Sequence, residues 1–154
     1  VEMLKYVIAP LVALMLGGPV VAYDEGLAQT YQNLFAAFDE QQTAKALHFM
    51  TPDKVVEGLK TGEPIVLLDV RTAREQSIVG VTQPDAIHIP MNKVFTPEGL
   101  AQIPTDKKVV VTCHSGVRCT AVTMALRNIG FDNVYSMKGG LKKLIEYVSA
   151  KTAY

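Results

Sequence analysis

The chain has 154 residues, 49% of them hydrophobic and 19% charged, which fits one folded domain and excludes a disordered chain. Fifteen Lys and Arg balance fifteen Asp and Glu, so the basic excess that displaces counterions from nucleic-acid phosphates is missing and no nucleic-acid partner is expected. Two cysteines are too few for a disulfide scaffold or a four-cysteine zinc site.

Residues 6–23 carry no charge, with Lys5 before them and Asp24-Glu25 after. Their most apolar part, residues 7–16, has the length of a signal-peptide core and is short for a membrane span. Gly17, Gly18 and Pro19 break the helix, and Val20-Val21-Ala22 sets small residues where a cleavage site needs them. Residues 1–22 are therefore expected to be a signal peptide. Its removal sends residues 23–154 to the periplasm or another extracytoplasmic compartment, with no stable membrane insertion. The alternative is a membrane anchor left uncleaved, against which Pro10 and the Gly-Gly-Pro break both count.

Residues 23–49 form an N-terminal extension. Leu27, Tyr31, Leu34, Phe35 and Phe38 follow one another as a single apolar stripe, which predicts an amphipathic helix. Such a stripe packs on its own domain by default, and a homodimer is the other use for it.

The remaining domain, residues 50–154, alternates strands and helices. Thr51-Pro52-Asp53 has the look of a helix start, with Val55, Val56 and Leu59 facing inward. Residues 65–70 are a continuous apolar run, suited to a strand buried on both faces. Residues 72–76 predict a short helix, 86–90 a second strand ended by Pro90, and 96–103 another helix. Residues 108–112, β-branched at their centre, predict the strongest strand. A helix over 118–128 follows, stopped by Gly130. A fourth strand at 134–136, a Gly139-Gly140 turn and a helix over 141–148 close the chain. The alternation implies an α/β fold with a parallel sheet, whose ligand crevice lies beyond the carboxyl ends of the strands.

Cys113 sits there, directly after the best strand. His114, Ser115, Gly116 and Val117 lead to Arg118 at the start of the next helix. A strand–loop–helix turn of this length aims successive N–H groups inward and adds a helix N-terminus, an environment that lowers a cysteine pKa. Gly116 permits the tight backbone, and Arg118 is expected to add a fixed positive charge. The bland alternative, a cysteine used as a small core hydrophobe, fits poorly beside His, Ser, Gly and Arg.

These residues resemble the single-domain rhodanese family. Leu67-Leu68-Asp69-Val70-Arg71 with Glu75, Ala86-Ile87-His88-Ile89-Pro90, the Cys-x-x-Gly-x-Arg loop from Cys113 to Arg118, and Val134-Tyr135 with Gly139-Gly140-Leu141 are similar to that family's motifs. Two departures stand out. The family's Gly-His-Ile-Pro-Gly-Ala stretch is here Gly80-Val-Thr-Gln-Pro-Asp-Ala86, and Leu144 stands about where a tryptophan is usual.

The resemblance implies a three-layer fold, a central mostly parallel sheet with helices on both faces. It also implies a sulfurtransferase in which Cys113 takes a sulfane sulfur from thiosulfate, polysulfide or a persulfide. The sulfur is held as a Cys113 persulfide and passed to a thiol, cyanide or protein acceptor. His114, Ser115, Gly116, Val117 and Arg118 would bind the sulfur anion. No cofactor is implied, and His48, His88 and His114 are too scattered to suggest a metal. His114 either adds positive potential at the loop mouth or is solvated. Asp69 and Arg71 end a strand near the site, either touching substrate or forming an internal ion-pair set with Glu75.

Two rivals remain. A cysteine phosphatase or arsenate reductase of related fold separates its cysteine and arginine by five residues to cradle a tetrahedral oxyanion, whereas four lie between Cys113 and Arg118 here. A non-catalytic binding module normally lacks the cysteine. Cys119, in the first helical turn, is expected to pack as a small hydrophobe; the alternative is a resolving thiol able to form a disulfide with Cys113.

Overall fold

The computed structural model describes residues 23–36, 47–149 and 151–152, so the signal-peptide expectation for residues 1–22 and the end of the apolar stripe at Phe38 lie outside the described residues. Strands β1 (Phe49–Met50), β2 (Ile65–Asp69), β3 (Ile87–His88), β4 (Lys108–Thr112) and β5 (Val134–Met137) form one parallel sheet in the order β1-β5-β4-β2-β3. The described helices are α1 (Glu25–Ala36), α2 (Pro52–Lys60), α3 (Ala73–Ile78), α4 (Pro97–Leu100), α5 (Val117–Asn128) and α6 (Gly140–Tyr147), with a 3-10 turn at Met91–Lys93. No helix among the described residues is long and apolar enough to cross a membrane.

Alternation along the central strands divides the core. Leu68 of β2 and Val109 and Val111 of β4 join Val122 and Leu126 of α5 on one face. Ile65 and Leu67 of β2 and Val110 of β4 join Met50, Val55 of α2 and Met137 on the other, with Leu144 of α6 packed against them. Both faces of β2 and β4 are buried, which is why these two strands read as unbroken apolar runs. Each fully buried Val or Leu contributes roughly 1.5–3 kcal/mol. Lys108, at the half-buried start of β4, pairs with Glu63. The result is the expected three-layer α/β fold, helices on both faces of the sheet.

Several expectations change in detail. The strand over 86–90 shortens to Ile87–His88, and the helix over 96–103 ends at Leu100. Strand β1 has only two residues, too few to show a period; His48 O and Met50 O accept the N–H groups of Ser136 and Lys138 (both 2.9 Å) and fix it beside β5. Gln83, which falls in the stretch that departs from the family pattern, accepts Leu67 N–H (3.2 Å) and donates to Ile65 O (3.1 Å). Its side-chain amide thus stands in for a strand where short β3 does not reach β2.

Among the described residues the α1 stripe stays open. None of the residues of α1 is buried, and Leu27, Tyr31 and Phe35 are 49%, 43% and 46% exposed. Locally the helix is supported by Asp24 capping Leu27 N–H (2.9 Å) and by the Tyr31–Phe35 ring pair one turn apart.

Candidate active site

β2 and β4 are neighbours, yet β2 leads to β3 on one side and β4 to β5 on the other. The loops that leave their carboxyl ends diverge, and the crevice between them is where parallel sheets hold ligands. Asp69 ends β2 at this point and Arg71 lies just beyond it; Cys113 follows β4.

The loop from Cys113 to Gly116 is folded so that its N–H groups and its carbonyls face opposite ways. Inward, Cys113 Sγ accepts the N–H of Gly116 (3.2 Å) and of Cys119 (3.4 Å). Outward, Cys113 O and His114 O accept the N–H groups of Leu141 (2.7 Å) and Lys142 (3.0 Å) in the first turn of α6. Those are helix N-terminal donors with no partner inside their own helix. Gly140 makes this seat possible: at φ +59 its Cα lies so close that a Cβ would stand 2.5 Å from Cys113 O and 2.7 Å from Gly116 N. Gly116, at φ +99, turns the loop into α5. The Gly139-Gly140 pair, expected only as a turn, is therefore the floor of the reactive loop.

Cys119 is the main correction. It is buried among the core residues as expected, but its thiol also donates to Cys113 Sγ across 2.9 Å. That contact is the largest cause lowering the Cys113 pKa from an ordinary 9.0 to about 5; burial opposes it, and the N–H groups of Cys119, Gly116 and Ser115 add to it. Cys113 is then a thiolate at neutral pH although only 1% exposed. The Cys119 thiol is held protonated, its pKa pushed far up by Cys113 and by burial. The position of Cys119, in the first turn of a helix that starts at the reactive loop, was the available sequence signal.

Arg118 does not lend its charge freely to the loop. Its guanidinium makes a bidentate pair with Glu75 (2.9 and 2.5 Å), each group stabilising the other's charged form. Glu75 also closes the capping box that starts α3, bonding Thr72 N–H (3.0 Å) and hydroxyl (2.9 Å). The expected Asp69–Arg71–Glu75 set accordingly divides. Glu75 turns to Arg118, while Asp69 takes the Arg71 backbone N–H (3.0 Å), Nε (3.0 Å) and terminal nitrogen (2.6 Å), with both residues buried. Arg71 gives its remaining reach to Val79 O (2.8 Å). The reason is geometric: two residues beyond Asp69, Arg71 folds back onto the carboxylate, which leaves Glu75 to the residue across the crevice.

His114 and Ser115 are exposed at the loop mouth, and Val117 is 76% exposed. An open cleft of about 450 Å³ adjoins the loop, lined by Arg71, Glu75, Val79, His114, Leu141 and Ile145 among others. Among the described residues no three His, Cys, Asp or Glu side chains gather as metal ligands.

The fold thus sets a buried cysteine of lowered pKa in an N–H cradle at the carboxyl end of a parallel strand. The chain belongs to the rhodanese-like domain family, whose pattern matches residues 51–146. It is similar to a probable adenylyltransferase/sulfurtransferase, MoeZ, of Mycobacterium tuberculosis, 33% identical over 105 residues, 68% of this chain and 26% of that protein. It is also similar to a sulfurtransferase of Allochromatium vinosum, 32% identical over 89 residues, 58% of this chain and 79% of that one. A solved rhodanese-like domain protein from Staphylococcus aureus superposes with a TM-score of 0.55 at 27% identity, covering 62% of this chain and 89% of its own. The chain spans about a quarter of the length of the mycobacterial relative.

Proposed function

We propose that this protein is a sulfurtransferase working through a Cys113 persulfide. The observation that carries the proposal is a thiolate held by neutral donors, the Cys119 thiol and the N–H groups of Gly116 and Cys119, in a loop with four residues between cysteine and arginine. Cys113 Sγ attacks the outer sulfur of thiosulfate or a polysulfide. The donor's S–S bond breaks, and sulfite or a shortened polysulfide leaves with the electron pair. The terminal sulfur of the new persulfide carries the negative charge, which the same inward N–H groups stabilise. An acceptor thiolate then attacks that terminal sulfur and restores the Cys113 thiolate. At 1% exposure Cys113 admits a slim terminal sulfur more readily than a tetrahedral phosphate. Sulfurtransferases among the relatives support the class of reaction.

The test is intact-mass spectrometry of the reduced protein after exposure to thiosulfate or polysulfide. A gain of one sulfur atom on the peptide holding Cys113 is expected. No gain, together with efficient hydrolysis of an aryl phosphate, would overturn the proposal.

A further inference from the structure

The Cys113–Cys119 contact does more than tune a pKa. Both residues are free thiols, both are buried, and their sulfurs lie 2.9 Å apart, within about 1 Å of a covalent S–S bond. Cys113 is set at the end of β4 and Cys119 in the first turn of α5, so the fold itself brings the two sulfurs together. As a hydrogen-bond donor a thiol is weak, and a hydroxyl in its place would do better. What sulfur adds at this position is the capacity to attack another sulfur.

We infer that Cys119 is a resolving thiol that gives the site a second reaction: release of the bound sulfur as hydrosulfide, with closure of a Cys113–Cys119 disulfide. The inference rests on the persulfide proposed above. Once Cys113 is loaded, its Sγ becomes the inner sulfur of the persulfide, and Cys119 Sγ is the sulfur placed against it. Cys119 Sγ forms a bond to Cys113 Sγ, the bond from Cys113 Sγ to the outer sulfur breaks, and that sulfur departs with the electron pair. The Cys119 proton passes to it, so persulfide anion and thiol become disulfide and hydrosulfide with atoms and charge conserved. The sulfane sulfur gains two electrons, and the two cysteine sulfurs supply them. An external dithiol resets the pair by thiol–disulfide exchange. The site therefore transfers sulfur when an acceptor thiol arrives, and discharges it as sulfide when none does.

The experiment charges the reduced full-length chain with thiosulfate under anaerobic conditions, removes donor and sulfite by gel filtration, and follows sulfide and intact mass without added reductant. Wild type is expected to release up to one sulfide per chain while losing its two thiol hydrogens, to yield a Cys113–Cys119 cross-linked peptide, and to recover both thiols with dithiothreitol. Cys119→Ser is expected to keep its extra sulfur and to release sulfide at least an order of magnitude more slowly. The cross-linked peptide is read on wild type, so the test does not depend on the variant folding. Wild type that loads one sulfur and keeps it, or releases sulfide without forming the disulfide, would overturn this inference and leave the sulfurtransferase proposal standing. A chain that neither gains sulfur nor releases sulfide would overturn both.

Discussion

β2 and β4 lie side by side with Asp69 opposite Thr112, and each strand ends on a buried anion held in its own way. At the end of β2 the Asp69 carboxylate is matched by the full charge of Arg71, through three nitrogens within 3.0 Å. At the end of β4, among the described residues, the Cys113 thiolate is held by backbone N–H groups and the Cys119 thiol rather than by a side-chain cation. A carboxylate locked against a guanidinium has its lone pairs committed and serves the architecture. A thiolate held by neutral dipoles stays ionised and keeps its nucleophilicity, because no fixed counter-charge must be displaced when it attacks. Two neighbouring buried anions thus serve opposite ends, and the identity of the partner decides which.

Replacing either anion tests this contrast most sharply. Cys113→Ser is expected to abolish sulfur uptake altogether, since the loop's donors cannot ionise a hydroxyl near neutral pH; residual uptake by intact-mass measurement would move the nucleophile elsewhere. Asp69→Ala leaves the Arg71 guanidinium buried without its partner, and a loss of about 3–5 kcal/mol in denaturant unfolding is expected. A loss below about 1 kcal/mol would mean that the pair is not what holds this strand end.

Gly140→Ala comes next. The methyl group would meet Cys113 O at 2.5 Å and Gly116 N at 2.7 Å, at a φ of +59 that L residues avoid. The loop must lift from α6, and sulfur uptake is expected to fall about tenfold or more, with roughly 1–3 kcal/mol of stability lost. Gly62→Ala is the control: φ there is +77, but nothing lies within 4 Å. Its backbone strain should cost similar stability and leave uptake alone. Equal loss of uptake in both variants would show that the Gly140 seat has no special part in forming the cradle.

The sequence shows the contrast only in part, for physical reasons. Elements with a period were legible: the runs of β2 and β4, the α2 start at Thr51-Pro52, the α5 helix and the reactive loop all lie within a residue or two of their observed places. Contacts between elements were not. That Glu75 would bond Arg118 rather than Arg71 depends on the crevice width between β2 and β4, which no local pattern encodes. That Gly139-Gly140 would carry the loop depends on the meeting of two segments separated in sequence by α5 and β5. Cys119 was judged by its helix face, and burial was anticipated correctly; its distance from Cys113 was not. The α1 stripe stayed open between packing and a dimer because amphipathicity states that a face is apolar, not what covers it.

The pH profile sharpens the thiolate half of the comparison. With the Cys113 pKa lowered to about 5, the reactive form is present above that value and disappears as pH falls through it. Uptake is expected to be half-maximal near pH 5 and flat across neutrality, measured as initial sulfur gain at fixed thiosulfate. Because the Cys119 thiol is the largest cause of the shift, Cys119→Ala should move the midpoint upward toward the ordinary thiol range. An unmoved midpoint would assign the shift to the backbone donors alone.

The smallest effect concerns the cation nearest the loop. Arg118 interacts with Cys113 only through the field of its charge, its guanidinium being paired with Glu75, and the pair is about one-third exposed. Glu75→Gln removes the neutralising charge yet keeps a side chain that can complete the capping box of α3. An exposed pair of this kind contributes under about 1 kcal/mol to stability, so the fold should hold. The released positive charge then faces the incoming thiosulfate dianion, and uptake should rise about twofold at low ionic strength, with the gain fading as salt screens it. Unlike a donor that holds the thiolate, a charge acting only at a distance must show this salt dependence. Slower uptake at every ionic strength would instead make the Glu75–Arg118 pair a brace that positions the loop, and would extend the architectural role of paired charges from the end of β2 to the mouth of the site itself.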